Sequence, residues 1–378
     1  MTMMAPVKSP ETRLSLTQAA IHRQINWEQL LYLANLHMST PLWYAQLKKD
    51  NMLSHLPEDL VQYLEALYQA NLQRNQQLET GLVRLLSEFN KASIDTLLLK
   101  GAATFCDPLF TDPGSRFMGD LDILAPGDKV ETCRAILIEL GYQEIPNKGM
   151  ELDELPTDER HHQLPRYYLP GTPIVVEIHF KISYALVGRM ITPEVAWKNR
   201  TKTKLEEEAT SVLSPDHKLI LNTAHALIPH REFLRGHISL LQLTEFVLLA
   251  QRYSDTIDWQ NWLQTARQFS LSTEFISYLK LSVHYMNLII PAELKSEPCS
   301  NFNEKRILFS GNYLITQKQK SIPFQARTTH NLYRIYYYTC LTNWMWQNVC
   351  YAPGLKNVPI RLQYCLKKIF SSRSWKKI

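Results

Sequence analysis

Two acidic residues with the spacing of metal ligands, Asp120 and Asp122, lie in the segment GDLDIL at residues 119–124. The alternation of polar and apolar residues predicts a β-strand that carries both carboxylates on one face. Neighbouring carboxylates repel each other, so such a pair usually holds a cation between them. Hard oxygen ligands suit Mg²⁺, or Mn²⁺ in its place. The pair therefore predicts a divalent-metal site, and the alternative is a solvated strand edge or turn that carries two acids.

A third acid, Glu177, lies in the apolar segment PIVVEIHF at residues 173–180. Strand alternation places Glu177 and His179 on the same face of this segment. An acid in so apolar a run costs free energy unless it has a partner. We therefore expect Glu177 to lie within shared-metal reach of Asp120 and Asp122.

A further segment begins with the apolar run TLLL at residues 96–99, which predicts a short buried strand. Lys100 and Gly101 end this strand, and residues 102–105 predict the first turn of a helix. The order is then strand, glycine and helix, followed by a strand with two acids and a later strand with one. This order predicts a mixed α/β unit.

The arrangement resembles the polymerase-β-like nucleotidyltransferase superfamily. It resembles more closely a family of bacterial nucleotidyltransferase-like proteins that carry LKG, then R-x-M-x-D-h-D-h-L and then E-h-H, where h is an apolar residue. The matching segments are LKG at 99–101, RFMGDLDIL at 116–124 and EIH at 177–179. The resemblance that carries these motifs covers roughly residues 94–182.

Two features depart from the superfamily pattern. The usual Gly-Ser at the end of the first strand is Gly101-Ala102 here, so the hydroxyl that would contact a phosphate is missing. The gap from Gly101 to Asp120 is also longer than the common superfamily spacing. Both departures concern how a phosphate is held, and neither removes the predicted metal site.

The resemblance implies an α/β (α+β) fold with a small mixed-sheet, polymerase-β-like nucleotidyltransferase core at residues 92–185. A helical N-terminal region at residues 1–91 and a helical C-terminal region with a basic tail at residues 186–378 would flank this core. Apolar residues at steps of three and four predict the helices on both sides, including one long helix from residue 58 to 89. From about residue 191 onward the pattern predicts helices alone.

The resemblance also implies an Mg²⁺-dependent nucleotidyltransferase that moves a nucleotidyl group from an NTP to a hydroxyl-type acceptor. The acids Asp120, Asp122 and Glu177 would hold the metal, with Glu177 as third ligand or as general base. The implied triphosphate-binding groups are the side chains of Lys100 and Arg116 and the backbone N–H groups at Gly101 and Ala102. The acceptor could be a small molecule, a peptide, a protein or an RNA.

A non-catalytic module that keeps this fold and binds a phosphate-rich partner is the second hypothesis. Ala102 in place of serine favours it, whereas retention of the three acids opposes it. Metal-dependent NTP binding separates the two, since an inactive scaffold has no need of a metal.

The composition is typical of a soluble globular protein, with 45% hydrophobic and 20% charged residues among 378. Six scattered cysteines without a C-x-x-C pair predict reduced thiols in a cytoplasmic protein. No run of 18 apolar residues and no signal-peptide core is present, so we expect no membrane span. The absence of P-loop, G-x-S-x-G and H-E-x-x-H motifs disfavours those enzyme classes.

The positive charge is concentrated in the C-terminal quarter. Residues 305–378 contain thirteen lysines and arginines and no acid, although the whole chain carries only +5. Such a segment predicts contact with a polyanion. The alternatives are a solubilising face or one that docks on the acidic remainder of the chain.

The polar, proline-bearing stretch at residues 145–165 predicts a long loop that could act as a lid. His161 and His162 stand at its end, on the approach to the strand with Glu177. They are candidate metal ligands, and exposed loop histidines are the commoner alternative.

Overall fold

The computed structural model describes residues 10–22, 24–146, 162–183, 185–228, 239–297 and 305. The basic quarter beyond Lys305 lies outside the described residues, as do His161 and most of the predicted lid. The expectations for those segments therefore stay predictions.

Helices account for most of the described chain. The α-helices are α1 (Pro10–Ile21), α2 (Trp27–Leu36), α3 (Thr40–Lys49), α4 (Glu58–Lys91), α5 (Val130–Glu139), α6 (Ala185–Met190), α7 (Pro193–Lys198), α8 (Pro215–Leu227), α9 (Leu240–Arg252), α10 (Trp259–Gln268), α11 (Ser272–Met286) and α12 (Ala292–Lys295). The predicted long helix is confirmed as α4. Within the described residues, no helix combines the length and apolarity needed to cross a membrane.

In the described part of the chain, seven strands form one mixed sheet. They are β1 (Leu97–Leu98), β2 (Leu121–Leu124), β3 (Gln143–Glu144), β4 (Tyr167–Tyr168), β5 (Val175–His179), β6 (Thr201–Leu205) and β7 (Glu208–Val212). Their order in the sheet is β3-β4-β5-β2-β1-β7-β6. The pairs β2–β5 and β1–β7 are parallel, and the other four pairs are antiparallel. The predicted α/β (α+β) class with a mixed sheet is confirmed.

The register of β2 against β5 places the predicted site residues side by side. Asp122 is paired with Glu177, and Leu124 is paired with His179. The alternate positions are fully buried in a core beneath the sheet, where α4 and α5 also contribute leucines; these positions are Leu121, Ile123, Val176 and Ile178. Burial of this apolar face fixes the register, because a slip of one residue would turn the acids into the core.

The expectation of helices alone after residue 191 is wrong at residues 201–212, where β6 and β7 form a hairpin. β6 is mostly exposed and rich in lysine, so it lacks the apolar signal of a buried strand. The hairpin turn has Glu206 at φ +50°, without the glycine or asparagine that usually marks such a turn. Two strands of the sheet therefore lie beyond residue 185, the predicted end of the core.

β7 joins the sheet through contacts that link it to β1. Leu98 pairs with Val212 in parallel, and the hydroxyl groups of Thr96 and Thr210 are 2.8 Å apart in a buried hydrogen bond. The β1 strand is thus a central strand with neighbours on both sides. This position holds the residues that follow it, beginning with Lys100, against the middle of the sheet.

Candidate metal centre

The backbone turns sharply where β1 ends. Lys100 has φ +46°, a left-handed conformation that is strained for a residue with a side chain. Its ammonium group lies 2.6 Å from Oδ1 of Asp122 on the neighbouring strand β2. The strained turn therefore brings the lysine onto the carboxylate that is predicted to bind metal.

Asp122 is the most deeply buried acid of the site, at 1% exposure. Its Oδ1 atom also lies 2.9 Å from Nε2 of His179. Burial raises the pKa of Asp122, but Lys100 and His179 outweigh burial and hold that pKa well below its usual range. Asp122 is therefore a carboxylate over the whole physiological pH range.

Glu177 is the second buried acid, at 8% exposure, and it faces two nitrogen donors. Its Oε2 lies 3.5 Å from Nε2 of His179, and its Oε1 lies 3.3 Å from Nε of Arg166. Burial lowers the pKa of His179, but its hydrogen bonds to the two carboxylates reverse this effect and raise the pKa. His179 is thus held as a donor between Asp122 and Glu177.

Asp122, Glu177 and His179 each offer a ligand atom, and these atoms all lie within 4.8 Å of one another. This confirms that Glu177 converges on Asp122, as strand alternation predicts. Asp120 does not belong to this cluster of the described residues, and His179 stands in the place that sequence reasoning gave to Asp120.

Two carboxylates and an imidazole form a donor set that fits a divalent cation. A metal-ligating histidine usually donates its second ring N–H to an oxygen. Nδ1 of His179 is buried and, within the described chain, has no hydrogen-bond partner. His179 therefore fits better as a hydrogen-bond donor that orients Asp122 and Glu177 than as a metal ligand.

Asp120 stands directly before β2 and is only half-buried. Burial, followed by the carboxylates of Asp122 and Glu177, raises the pKa of Asp120 to about 6. Asp120 therefore lies close enough to Asp122 and Glu177 for their negative charges to repel its carboxylate. A cation bound among the three carboxylates would reduce this repulsion.

Helix α4 holds the segment that leads into Asp120. The side-chain amides of Asn71 and Asn75 are buried and donate hydrogen bonds of 2.7–3.0 Å to backbone carbonyls of this segment, those of Pro113, Gly114 and Arg116. The guanidinium of Arg74 donates to two further carbonyls, those of Met118 and Gly119. Sequence reasoning missed these residues, although their spacing of three and four on a long helix marks one face.

Arg116 lies beside the predicted phosphate-binding turn, but its charge is already paired. Its Nε donates to Glu245 on α9, and its side chain is only 13% exposed. A Cβ at Gly101 would lie 2.4 Å from Nη1 of Arg116, so a side chain at this position would displace the guanidinium. The structure thus gives Arg116 a role in joining the turn to the helical region.

The predicted helical turn after Gly101 is present over Ala102–Phe105 as a single 3₁₀ turn, which does not continue into a longer helix. Four residues in a 3₁₀ turn sum fewer peptide dipoles than an α-helix, which weakens the attraction to a phosphate. Gly101 and Ala102 nevertheless lie within two residues of Lys100 at the edge of the acid cluster.

His162 lies next to the site, as its position before β5 predicts. Its ring centroid is 5.2 Å from that of His179, and its carbonyl accepts hydrogen bonds from the N–H groups of Phe180 and Lys181. It does not belong to the cluster that could hold a metal. His162 therefore forms part of the wall beside His179.

A mixed sheet that brings acids from two adjacent strands against a lysine at the end of a third defines an α/β protein with a candidate divalent-metal centre. A family model described as "Uncharacterised nucleotidyltransferase" matches residues 23–287. Because this match spans more than half of the chain, the protein belongs to this family of uncharacterised nucleotidyltransferases.

Among solved structures, the chain is similar to an antigenic nucleotidyltransferase-like protein from Paracoccidioides brasiliensis. The two share 17% sequence identity over 54% of this chain and 93% of that chain, with a TM-score of 0.32. No match is found among the curated proteins.

Proposed function

We propose that this protein is an Mg²⁺- or Mn²⁺-dependent nucleotidyltransferase that moves a nucleotidyl group from an NTP to a hydroxyl-type acceptor. The observation that carries the proposal is the convergence of Asp122 and Glu177 on adjacent strands, with Asp120 beside them and Lys100 at their edge. Membership of a nucleotidyltransferase family supports it.

The three acids would hold the metal. His179 contacts both Asp122 and Glu177 and orients them, and Asp120 completes the set at the half-buried side. A bound divalent cation supplies charge neutralisation for the phosphates and a lower pKa for the acceptor hydroxyl. Glu177 would serve as the third ligand or as the general base that takes the acceptor proton.

The triphosphate would lie on the side of the cluster where β1 ends. Lys100 and the backbone N–H groups at Gly101 and Ala102 would bind its oxygens there. Arg116 would support this turn through its contact with Gly101. The basic residues of the segment 305–378 would contact a polyanion. The scattered cysteines support a cytoplasmic location for the protein.

An inactive module that binds a phosphate-rich partner is the second candidate. The observations that favour it are Ala102 in the place of the phosphate-binding serine and the existing charge pairs of Lys100 and Arg116. In that case the carboxylates serve as internal counter-ions rather than metal ligands.

The test is incubation with each α-labelled NTP and candidate acceptors, with Mg²⁺, Mn²⁺ or EDTA. Asp122→Asn should abolish label transfer, whereas the matched control Asp128→Asn should not, because Asp128 is exposed and lies outside the cluster. Metal-independent NTP binding without transfer to any acceptor would favour the inactive module.

A further inference from the structure

Two side-chain cations are bound to the two acids that would hold the metal. Lys100 contacts Oδ1 of Asp122, and Arg166 contacts Oε1 of Glu177. A divalent cation that binds these carboxylates competes with both contacts for the same negative charge. The acids can satisfy the lysine, the arginine and a metal together only if a new anion arrives.

The side chain of Arg166 can exchange its ion-pair partner while its backbone stays fixed. Its backbone carbonyl accepts a hydrogen bond of 2.7 Å from the N–H of Ile145, which fixes the main chain just before β4. Its side chain is 49% exposed and meets Glu177 through Nε at 3.3 Å. The guanidinium can therefore swing on its flexible stem while the strand stays in place.

Lys100 shows the same combination of a fixed backbone and a reachable head group. Leu99, directly before it, donates its N–H to the carbonyl of Asp122 at 3.0 Å, so the turn is tied to β2. The lysine side chain is 24% exposed despite its contact with a buried acid. A strained backbone held this way indicates a functional constraint on where the ammonium lies.

The balance of charges in the site indicates which kind of ligand would bind beside the metal. Asp120, Asp122 and Glu177 carry three negative charges when ionised, and Lys100 and Arg166 already offset two of them. Addition of a divalent cation leaves an excess of positive charge in a largely buried place, which favours the binding of an anion. A triphosphate supplies oxygens for the metal and for both released side chains, and a guanidinium binds phosphate oxygens in a bidentate manner.

We propose that Lys100 and Arg166 act as exchangeable counter-ions: metal binding releases them from Asp122 and Glu177, and they then bind the nucleotide triphosphate. Arg166 thereby supplies the phosphate contact that Ala102 lacks. This inference rests on the proposed function, because it needs the metal to bind the acids. It assigns the phosphate contact to Arg166 rather than to Arg116, whose charge is paired with Glu245.

The exchange predicts effects of opposite sign in two binding measurements. Arg166→Met and Lys100→Met remove a competitor of the metal, so each should bind Mn²⁺ alone about tenfold more tightly than wild type, measured by electron paramagnetic resonance. Each should bind Mn²⁺-loaded ATP, GTP, CTP or UTP about tenfold more weakly, measured by calorimetry. Arg166→Lys should restore Mn²⁺ affinity to near the wild-type value.

Arg134→Met is the matched control, because Arg134 is similarly exposed and pairs with Glu131 and Glu144, which do not belong to the candidate metal site. It should change neither affinity. Loss of both affinities in Arg166→Met would show a merely structural role, and unchanged nucleotide affinity would show that Arg166 does not bind phosphate; either result overturns the inference. Failure of the wild type to bind Mn²⁺ would instead overturn the proposed function itself.

Discussion

Nε2 of His179 lies 2.9 Å from Oδ1 of Asp122, across a parallel strand pair that also places Glu177 beside the same ring. The histidine has no exposed surface, so its charge depends on these two carboxylates. A buried histidine that contacts both carboxylates holds them in a fixed orientation toward one point. This arrangement, rather than the acids alone, makes the pair a candidate cation site.

Asp122→Asn should destabilise the fold as well as abolish transfer. Repulsion between neighbouring acids alone predicts a neutral or mildly stabilising effect, but Lys100 and His179 would each lose a buried partner. The expected loss is about 3 kcal/mol in the free energy of unfolding. Urea unfolding in EDTA measures it, and Asp128→Asn serves as the exposed control. A free energy of unfolding equal to that of wild type would contradict the importance of these contacts.

Asp120→Asn should have the opposite effect on stability. Since the folded pKa of Asp120 is about 6 against 3.8 for the free side chain, the folded state binds more protons between these values. Stability therefore falls as pH rises through this window, and the ionised residue costs about 1–3 kcal/mol near pH 7. Asp120→Asn should be more stable than wild type at pH 7.5 and about equal at pH 4. A constant difference across this range would refute the raised pKa.

His179→Gln keeps an N–H donor but removes the charge. Because the folded pKa of His179 is raised, its stabilising charge is fully present below about pH 6.5 and is lost as pH rises through the folded pKa. The variant should lose about 1–3 kcal/mol at low pH and less at high pH. Unfolding at several pH values measures this difference. The exposed His22→Gln is the control, and an equal loss at every pH would argue for packing alone.

Strand alternation predicted that Asp122 and Glu177 converge, because both lie at alternate positions of strands whose other face is apolar. It placed His179 on the same face as Glu177, but it predicted Asp120 and not His179 as the third member of the cluster. The counter-ion Arg166 could not be found this way. It precedes a strand of only two residues, and its partner follows from the antiparallel pairing of β4 with β5.

The long-range contacts could not be predicted either. Arg116 meets Glu245 across 129 residues, and Asn75 meets a loop 38–41 residues away. A helical pattern shows which face of α4 is buried, but not which carbonyls lie opposite its asparagines. The β6–β7 hairpin was missed because β6 is polar and mostly exposed, although Leu205 and Val212 at the strand ends are buried in the core.

The basic quarter should make binding of a polyanion strongly dependent on salt. Each phosphate that a lysine neutralises releases counter-ions, so affinity should fall steeply as salt rises. Replacement of Lys367, Lys368, Lys376 and Lys377 by glutamine should flatten this dependence. Titration of the full chain with a labelled RNA oligonucleotide at several salt concentrations measures the slope. An identical slope in the quadruple variant would exclude these lysines as the contact.

Asn75→Ala tests whether α4 positions the segment that carries Asp120. Asn75 is 3% exposed, and its amide donates to the carbonyls of Pro113 at 2.7 Å and Arg116 at 2.9 Å. Loss of both bonds leaves two carbonyls without this donor and should cost about 1–3 kcal/mol of stability. A displaced segment would also misplace Asp120, so transfer should slow about tenfold or more under conditions where the protein stays folded. Gln77→Ala, an exposed amide on the same helix, should alter neither quantity. If Asn75→Ala lowers the melting temperature but leaves the transfer rate of the folded protein unchanged, the helix stabilises the loop without positioning the acid.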